Sequence, residues 1–442
     1  MVSASNFVSI DKSTISVSAN AFLPKHALIP LCEDDSEVSE VLVKAGDRVK
    51  EGEVIARTKS LNIHSSVPGI VQKIEQRQYS NGKQGLCAEV LLNGDFSYLG
   101  RPTAPQNWHN YDASTIQFLL KEAGVINTFG KETPLFKQVK NNTNYNSILV
   151  LRLFDSDPSH VTEEFIAEKQ LLSVLEGAGV IAKAFFAKAL VLAYSGTEKN
   201  NLKAALEKAV SEKKVELFGA TSEVFTLAVD TRKYPAGTMH DISSAVKKTY
   251  KSDFFSKLGK KDLFVDSTTA LHAYDAVVLG KPVMSAFVHV TGDCLNSAAL
   301  LNIRIGTPLR NIVEQCGGFK HRLEKIVVNG ILLGKTVSSL DIPVGRGVKS
   351  IEFVPAGQIL SQNSEKCIRC GNCRKICPVM LWPGNLYRLA RSVRATEGRT
   401  ADSIALNSAL LCTECGLCNA VCPSRLPLSQ MISLLKDSCH EN

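Results

Sequence analysis

The pattern of apolar and polar positions divides the chain into four regions. Between residues 30 and 95, short β-branched runs alternate with turn signals. The stretch 41–56 is punctuated at Gly46-Asp47 and Glu51-Gly52, and 67–74 repeats the strand-turn-strand habit. From about residue 112, helical and strand periods alternate. Residues 148–153 predict a buried strand interrupted only by Arg152, and 163–175 a helix with Ala167, Leu171, Val174 and Leu175 on one face. A second buried strand is expected at 189–194. Leu202, Ala205, Leu206, Ala209 and Val210 mark a helix, and 215–218 a third strand. Residues 283–355 return to short strands, at 287–292, 325–328 and 348–354, around one helix at 308–316 entered through Thr307-Pro308. The last region is helical in pattern, with Leu386, Leu389 and Ala390 on one face of a long spacer over 379–411.

This order predicts a multidomain α+β protein. A barrel-sandwich β domain spans 1–110, a Rossmann-like α/β layer 111–282, a β-grasp (SLBB-like) module 283–355, and a helical double-cluster domain 356–442. The length of 442 residues agrees with several domains. The first region resembles biotinyl and lipoyl domains, but Lys59 lacks the Met-Lys-Met or Asp-Lys-Ala context of a modified hairpin. A docking or bracing role is expected for it. With 44% hydrophobic and 21% charged residues, the chain can build cores and is not a disordered polymer. No apolar run approaches the ~18–20 residues of a membrane span. The N-terminal stretch has no basic region leading into an apolar core, so membrane-spanning and secreted classes are excluded. The net charge of +8 reads as spread along the chain. Without a module of interleaved aromatics, no nucleic-acid partner is expected.

Cysteine placement changes the picture. Of thirteen cysteines, eight lie between Cys367 and Cys422. Cys367, Cys370, Cys373 and Cys377 before Pro378 fit C-x2-C-x2-C-x3-C-P, and so do Cys412, Cys415, Cys418 and Cys422 before Pro423. In this pattern three thiolates wrap three corners of a cubane, while the fourth, expected at the start of a helix, ligates the other cluster. One [4Fe–4S] cluster would then take Cys367, Cys370, Cys373 and Cys422, and the other Cys412, Cys415, Cys418 and Cys377. Gly371 and Gly416 would let the loops approach the sulfurs. The alternative is a pair of structural zinc sites, which need only two C-x2-C pairs and give no reason for two complete runs with terminal proline. Cys32, Cys87, Cys294 and Cys316 are expected as small core residues, and Cys439 as an incidental thiol.

In this order the regions resemble the RnfC family, a component of the Rnf ion-translocating electron-transport complex. Besides the cysteines, 290–293 (Val-Thr-Gly-Asp), 304–309 (Arg-Ile-Gly-Thr-Pro-Leu) and 340–344 (Leu-Asp-Ile-Pro-Val) carry the resemblance. It implies a peripheral protein on the cytoplasmic side of the inner membrane, bound to other subunits of the complex. Such a protein takes electrons from NADH through FMN, or from a redox protein. Its clusters pass them to membrane-embedded flavin and iron–sulfur partners, and the complex couples transfer to Na⁺ or H⁺ movement.

The chain departs from the family at the nucleotide site. Where the family has G-L-G-G-A-G-F-P-T, residues 127–135 read Asn-Thr-Phe-Gly-Lys-Glu-Thr-Pro-Leu, keeping Gly130 and placing Glu132 where phosphate would sit. The family's E-C-E-P becomes Asp155-Ser-Asp157-Pro. Its Y-P-x-G-G-x-K becomes Tyr234-Pro-Ala-Gly237-Thr-Met-His240, and its G-G-P-x-M-G becomes 329–334, Asn-Gly-Ile-Leu-Leu-Gly. Gly130, Asp155, Asp157 and Gly237 are therefore the residues left to hold FMN or NADH. The site is expected to be weakened or lost, and Lys131 and His240 are expected as exposed loop residues. The expected function is iron–sulfur electron relay in an Rnf-type complex. The competing readings are a complete NADH dehydrogenase with FMN and a soluble corrinoid reductase, which shares this domain order.

Overall fold

The computed structural model describes residues 2–3, 16–32, 38, 40–142, 147–196, 202–219, 223–259, 261–357, 366–395 and 407–440. The β-rich first region forms two antiparallel sheets. His26–Pro30, Gln84–Leu92, Gly69–Gln78 and Arg48–Val49 make one, in that order. Glu40–Val41, Val54–Arg57 and Asn62–His64 make the other. Ala27, Ile29, Val49, Ile55, Ile63, Val71 and Val90 fill the space between them.

The α/β region is a four-stranded, all-parallel sheet ordered Glu223–Val229, Ala187–Ser195, Ser147–Arg152, Leu263–Asp266. Its strands read as unbroken apolar runs because both faces are covered. Leu149 and Leu151 enter the core on one side, and Ile148 and Val150 the core on the other. Helices Leu171–Ala184 and Ser267–Val277 pack together through Gly177, where an added Cβ would lie 1.9 Å from the Ala270 carbonyl oxygen.

Two expectations are corrected here. Residues 215–218 are not a strand: they end the helix Leu202–Phe218, bent at Lys213, and the third strand of the layer is Glu223–Val229. Leu217 and Phe218 are buried because this helix end lies against Gly179, a contact between distant segments that a local apolar run cannot reveal. The helix expected over 163–175 is two, Thr162–Lys169 and Leu171–Ala184, because Gln170 takes a non-helical conformation between them.

The third region is a mixed six-stranded sheet. Its order is Ser16–Asn20, Ala299–Arg304, Ser285–Thr291, Ser350–Pro355, Leu323–Val328, Lys335–Val337. Helix Leu309–Gln315 covers one face, through Leu309, Ile312 and Val313. The strand from the beginning of the chain pairs parallel to Ala299–Arg304, so this sheet borrows an edge from a sequence-distant segment. Arg304 in turn reaches back to the barrel, 2.6 Å from the buried Glu51 carboxylate.

The C-terminal region packs helix Pro383–Ala395 against helix Leu428–His440 through Leu386, Ala390, Ile432 and Leu435. The first of these is the described part of the spacer helix; 396–406 lie outside the described residues. Cys87, Cys294 and Cys316 are buried and Cys32 half-buried, in keeping with core roles, whereas the Cys439 side chain lies outside the described set. Among the described residues no helix is long and apolar enough to cross a membrane.

Candidate metal centres

The two cysteine runs share one backbone course. In each, the residue before the second cysteine is left-handed, Arg369 at φ 58° and Glu414 at φ 56°. The glycine after it is also left-handed, Gly371 at 77° and Gly416 at 73°, and a third such residue follows the fourth cysteine by three, Met380 at 56° and Arg425 at 51°. Non-glycine residues rarely occupy this region, so its recurrence at matched positions marks a loop geometry required by the site. Alternating right- and left-handed residues turn successive N–H groups inward, a concavity suited to anionic sulfur. The amides of Leu381 and Glu414 donate to Sγ of Cys377 and Cys412, at 3.3 and 3.4 Å.

Gly371 and Gly416 cap the short helices Asn372–Ile376 and Leu417–Ala420, which carry the third cysteines. The fourth cysteine was expected at the start of a helix. Instead Cys377 ends the first helix in an extended conformation, and Cys422 follows the second. The short helix is used up in presenting the third thiol, and in the first run the extended exit at Cys377 leads away from it.

Cys377 consequently lines one cavity with Cys412, Cys415 and Cys418, closed on its apolar side by Val379, Leu381, Leu417 and Ile432. On the other side, Cys373 and Cys422 pack with Tyr387 and Leu426, while Cys367 and Cys370 are exposed. The Ser424 hydroxyl donates to the Lys366 carbonyl at 3.0 Å, tying the end of the second run to the start of the first. Burial pushes the Cys412 thiol up to about 11 and also raises Cys373, Cys415 and Cys418, with neighbouring thiols reinforcing the last. These thiols become good ligands only beside a cation that stabilises the thiolate. Eight thiols in two runs of this spacing match one thiolate per corner of two multi-iron clusters.

The cavity with the buried thiols faces the rest of the molecule. Gly416 abuts the Leu332 carbonyl oxygen, 2.3 Å from where a Cβ would stand, and the buried Tyr234 hydroxyl donates to the Cys415 carbonyl at 2.7 Å.

Arg152 links the segments that carry the candidate nucleotide residues. Arg152 lies over the Phe129 ring at 4.3 Å, next to Gly130, and donates to the Gly237 carbonyl at 2.7 Å. Gly237 is pressed against Ser156, between the two aspartates; an added Cβ would stand 2.9 Å from the Ser156 Cα. Asp155 accepts from His160 Nδ1 at 2.7 Å and from the amides of Glu163 and Glu164. Burial opposes its charge, but His160 and those amides outweigh burial and hold the carboxyl below its usual range. Asp157 accepts from the amides of Ser159, Leu332 and Leu333, each at 2.9 Å. Gly130 is exposed, is not left-handed and has open space at its Cβ position. Glu132 lies against Gly347. Lys131 is an exposed loop residue, as expected; His240 is exposed but lies in the first turn of the helix Met239–Thr249 rather than in a loop, because Thr238 caps that helix.

Sequence reasoning missed a buried ion network at the same crevice. The Lys349 ammonium contacts Glu163 (2.9 Å), Asp266 and the Thr128 carbonyl (2.8 Å). The Thr128 and Thr269 hydroxyls donate to Asp266, and Thr268 donates to Glu163 through both amide and hydroxyl. The available signal was a charged residue inside each apolar run, Arg152, Asp266 and Lys349. Charge so deeply buried persists only when paired.

Two regions of the chain match known protein domains. Residues 11–96 match the RnfC barrel sandwich hybrid domain, and 363–426 the 4Fe-4S dicluster domain. The chain is 26% identical over 381 residues to the C component of the ion-translocating oxidoreductase complex of Vibrio cholerae, covering 83% of this chain. The chain is similar to RnfC proteins over most of its length. It is 25% identical over 375 residues to the corresponding component of the proton-translocating ferredoxin:NAD(+) oxidoreductase complex of Clostridium ljungdahlii. It is 23% identical over 368 residues to that of the Na(+)-translocating ferredoxin:NAD(+) oxidoreductase complex of Acetobacterium woodii. It spans about half (47%) of the Vibrio relative and 78% and 81% of the other two. A crystal structure of an NAD+-reducing [NiFe]-hydrogenase matches 73% of this chain and 60% of its own at 14% identity with a TM-score of 0.46, too low to carry an argument.

Proposed function

We propose that this protein relays electrons through two [4Fe–4S] clusters as a peripheral member of an Rnf-type membrane complex. The observation that carries the proposal is the convergence of thiols from both cysteine runs on one cavity. It supports crossed ligation: Cys412, Cys415, Cys418 and Cys377 for the inner cluster, Cys367, Cys370, Cys373 and Cys422 for the outer one. Thiolates supply the ligands, inward amides and apolar walls set the surroundings, and bound clusters would supply one-electron chemistry. The division at 110/111, 282/283 and 355/356 is retained, with the parallel layer read as Rossmann-like and the mixed sheet as β-grasp.

On this reading the chain no longer holds FMN or NADH in the family manner. Both aspartates accept internal hydrogen bonds, and the crevice carries its own ion network. A redox protein and neighbouring subunits of a membrane complex would then act as its electron partners, on the cytoplasmic side of the membrane. Anaerobic purification with iron, acid-labile sulfide and flavin measured on one sample tests the proposal. The expected result is about eight iron and eight sulfide per chain, no flavin after gel filtration, and no reduction of the clusters by NADH alone. Tightly bound zinc without sulfide would overturn the relay. Stoichiometric FMN with NADH-driven cluster reduction would restore the full dehydrogenase.

A further inference from the structure

The net positive charge is not spread along the chain. Residues 366–395 hold seven Lys or Arg and no Asp or Glu, against a net +8 for the whole protein. The second cysteine run carries no such excess: 407–440 contain two Lys or Arg and two Asp or Glu. Two cysteine runs of matched backbone course therefore differ sharply in electrostatics.

In the fold this charge surrounds the outer thiols. Lys366, Arg369, Arg374, Lys375, Arg388 and Arg391 are all exposed, and among the described residues none forms an ion pair. Cys367 and Cys370 are exposed in their midst. Two large apolar side chains stand with them, Ile368 at 67% exposure and Trp382 at 49%, the latter stacked under the Arg374 guanidinium at 4.0 Å. An apolar centre with a charged rim is the anatomy of a protein interface. The second run instead contacts the body of the protein, through Gly416 against Leu332 and the Cys415 carbonyl against Tyr234.

We infer that this face is the docking surface for an acidic electron-carrier protein, which exchanges electrons with the outer cluster through the Cys367–Cys370 loop. The inference rests on the relay proposed above and adds its outer terminus and the chemistry of the partner. Unpaired like charges around an apolar centre repel one another unless an anionic surface meets them, and complementary charge raises encounter rates in short-lived redox complexes. An anionic lipid surface would satisfy the same charges. It would also cover the only exposed thiols among the described residues, so the protein partner is favoured.

The two repeats supply their own test. At the matched positions the second run has Glu414, Asn419 and Ala420 in place of Arg369, Arg374 and Lys375, on the same backbone. The combined variant Arg369→Glu, Arg374→Asn, Lys375→Ala thus lowers the charge of the face by four, using side chains the loop geometry already accepts. Binding of the anaerobically loaded protein to an acidic 2[4Fe–4S] ferredoxin, immobilised or labelled, is measured at low and high salt. Vesicles with and without phosphatidylglycerol are measured alongside. The expected result is ferredoxin affinity that falls with salt and drops by about tenfold or more in the variant, with iron and sulfide unchanged. Equal affinity in a sulfide-containing variant would overturn the docking surface. Salt-sensitive capture by phosphatidylglycerol vesicles, lost in the variant while ferredoxin binding is absent or unaffected, would assign the face to lipid and overturn it too. Sulfide-free wild-type protein would instead refute the relay itself, so the two failures are distinguishable.

Discussion

Gly371 and Gly416 stand at the same place in the two cysteine loops, with nearly the same φ, yet alanine should cost very different amounts at each. Both positions are left-handed, which penalises any Cβ by about 1–2 kcal/mol. Beyond that, a methyl on Gly371 meets nothing within 4 Å, whereas one on Gly416 would stand 2.3 Å from the Leu332 carbonyl oxygen and 3.1 Å from its carbon. Backbone cannot swing aside as a side chain can, so the loop and the turn after Asn329 must separate, an overpacking cost of about 1–3 kcal/mol. Gly371→Ala should therefore lose about 1–2 kcal/mol and Gly416→Ala about 2–5. The assay is anaerobic guanidinium unfolding followed by the iron–sulfur charge-transfer absorbance, paired with amide hydrogen exchange. The amides of Leu332 and Leu333, which donate to Asp157, should exchange faster in Gly416→Ala and stay unchanged in Gly371→Ala. Equal destabilisation by both variants, with equal protection at Leu332 and Leu333, would refute the contact between the cysteine loop and the mixed sheet.

Cys377→Ser should damage the cluster held by Cys412, Cys415 and Cys418, leaving the signal of the Cys367–Cys373 cluster in place; electron paramagnetic resonance of the reduced protein would distinguish them, and selective loss of the latter would contradict crossed ligation. Lys349→Met leaves Asp266 and Glu163 buried without their cation and should cost about 3–5 kcal/mol at neutral pH. Burial and the adjacent Asp266 already raise the Glu163 carboxyl, so protonation neutralises it as pH falls and the variant's deficit should shrink below neutrality; a deficit independent of pH would count against this pairing. Burial lowers His64 to about 3 and His272 and His289 to about 4, and the Nδ1 of each lacks a partner. The unfolded chain takes up these protons below about 6.5 while the folded one does not, so each should remove up to ~1.4 kcal/mol of stability per pH unit between about 6.5 and 4. Urea midpoints across that window should fall less steeply in His272→Gln than in the wild type.

Local pattern was enough for whatever depends on residues near one another in sequence. Cysteine spacing, the proline after each run and the glycine after each second cysteine define the loops, because a thiolate loop is closed within a dozen residues. The unbroken apolar runs at 148–153 and 189–194 announced strands covered on both faces, since a strand exposed on one side would alternate. Where burial depends on a distant partner, pattern misled. Residues 215–218 have the composition of a strand, but Leu217 and Phe218 are buried because their helix end reaches Gly179. Nor does the sequence show what Asp155 and Asp157 accept from; tertiary structure brings them the amides of Glu163, Glu164, Leu332 and Leu333. A carboxylate accepts from whichever donors the fold brings to it, and identity alone cannot say whether those belong to a ligand or to the chain. The concentration of charge over 366–395 was legible in the sequence, but the fold decided its meaning. Only there do the cations, Ile368, Trp382 and the exposed thiols share one surface, while the backbone of the second run at Cys415 and Gly416 lies against Tyr234 and Leu332. Spacing can define a ligand set, but which set faces solvent depends on how the domains pack.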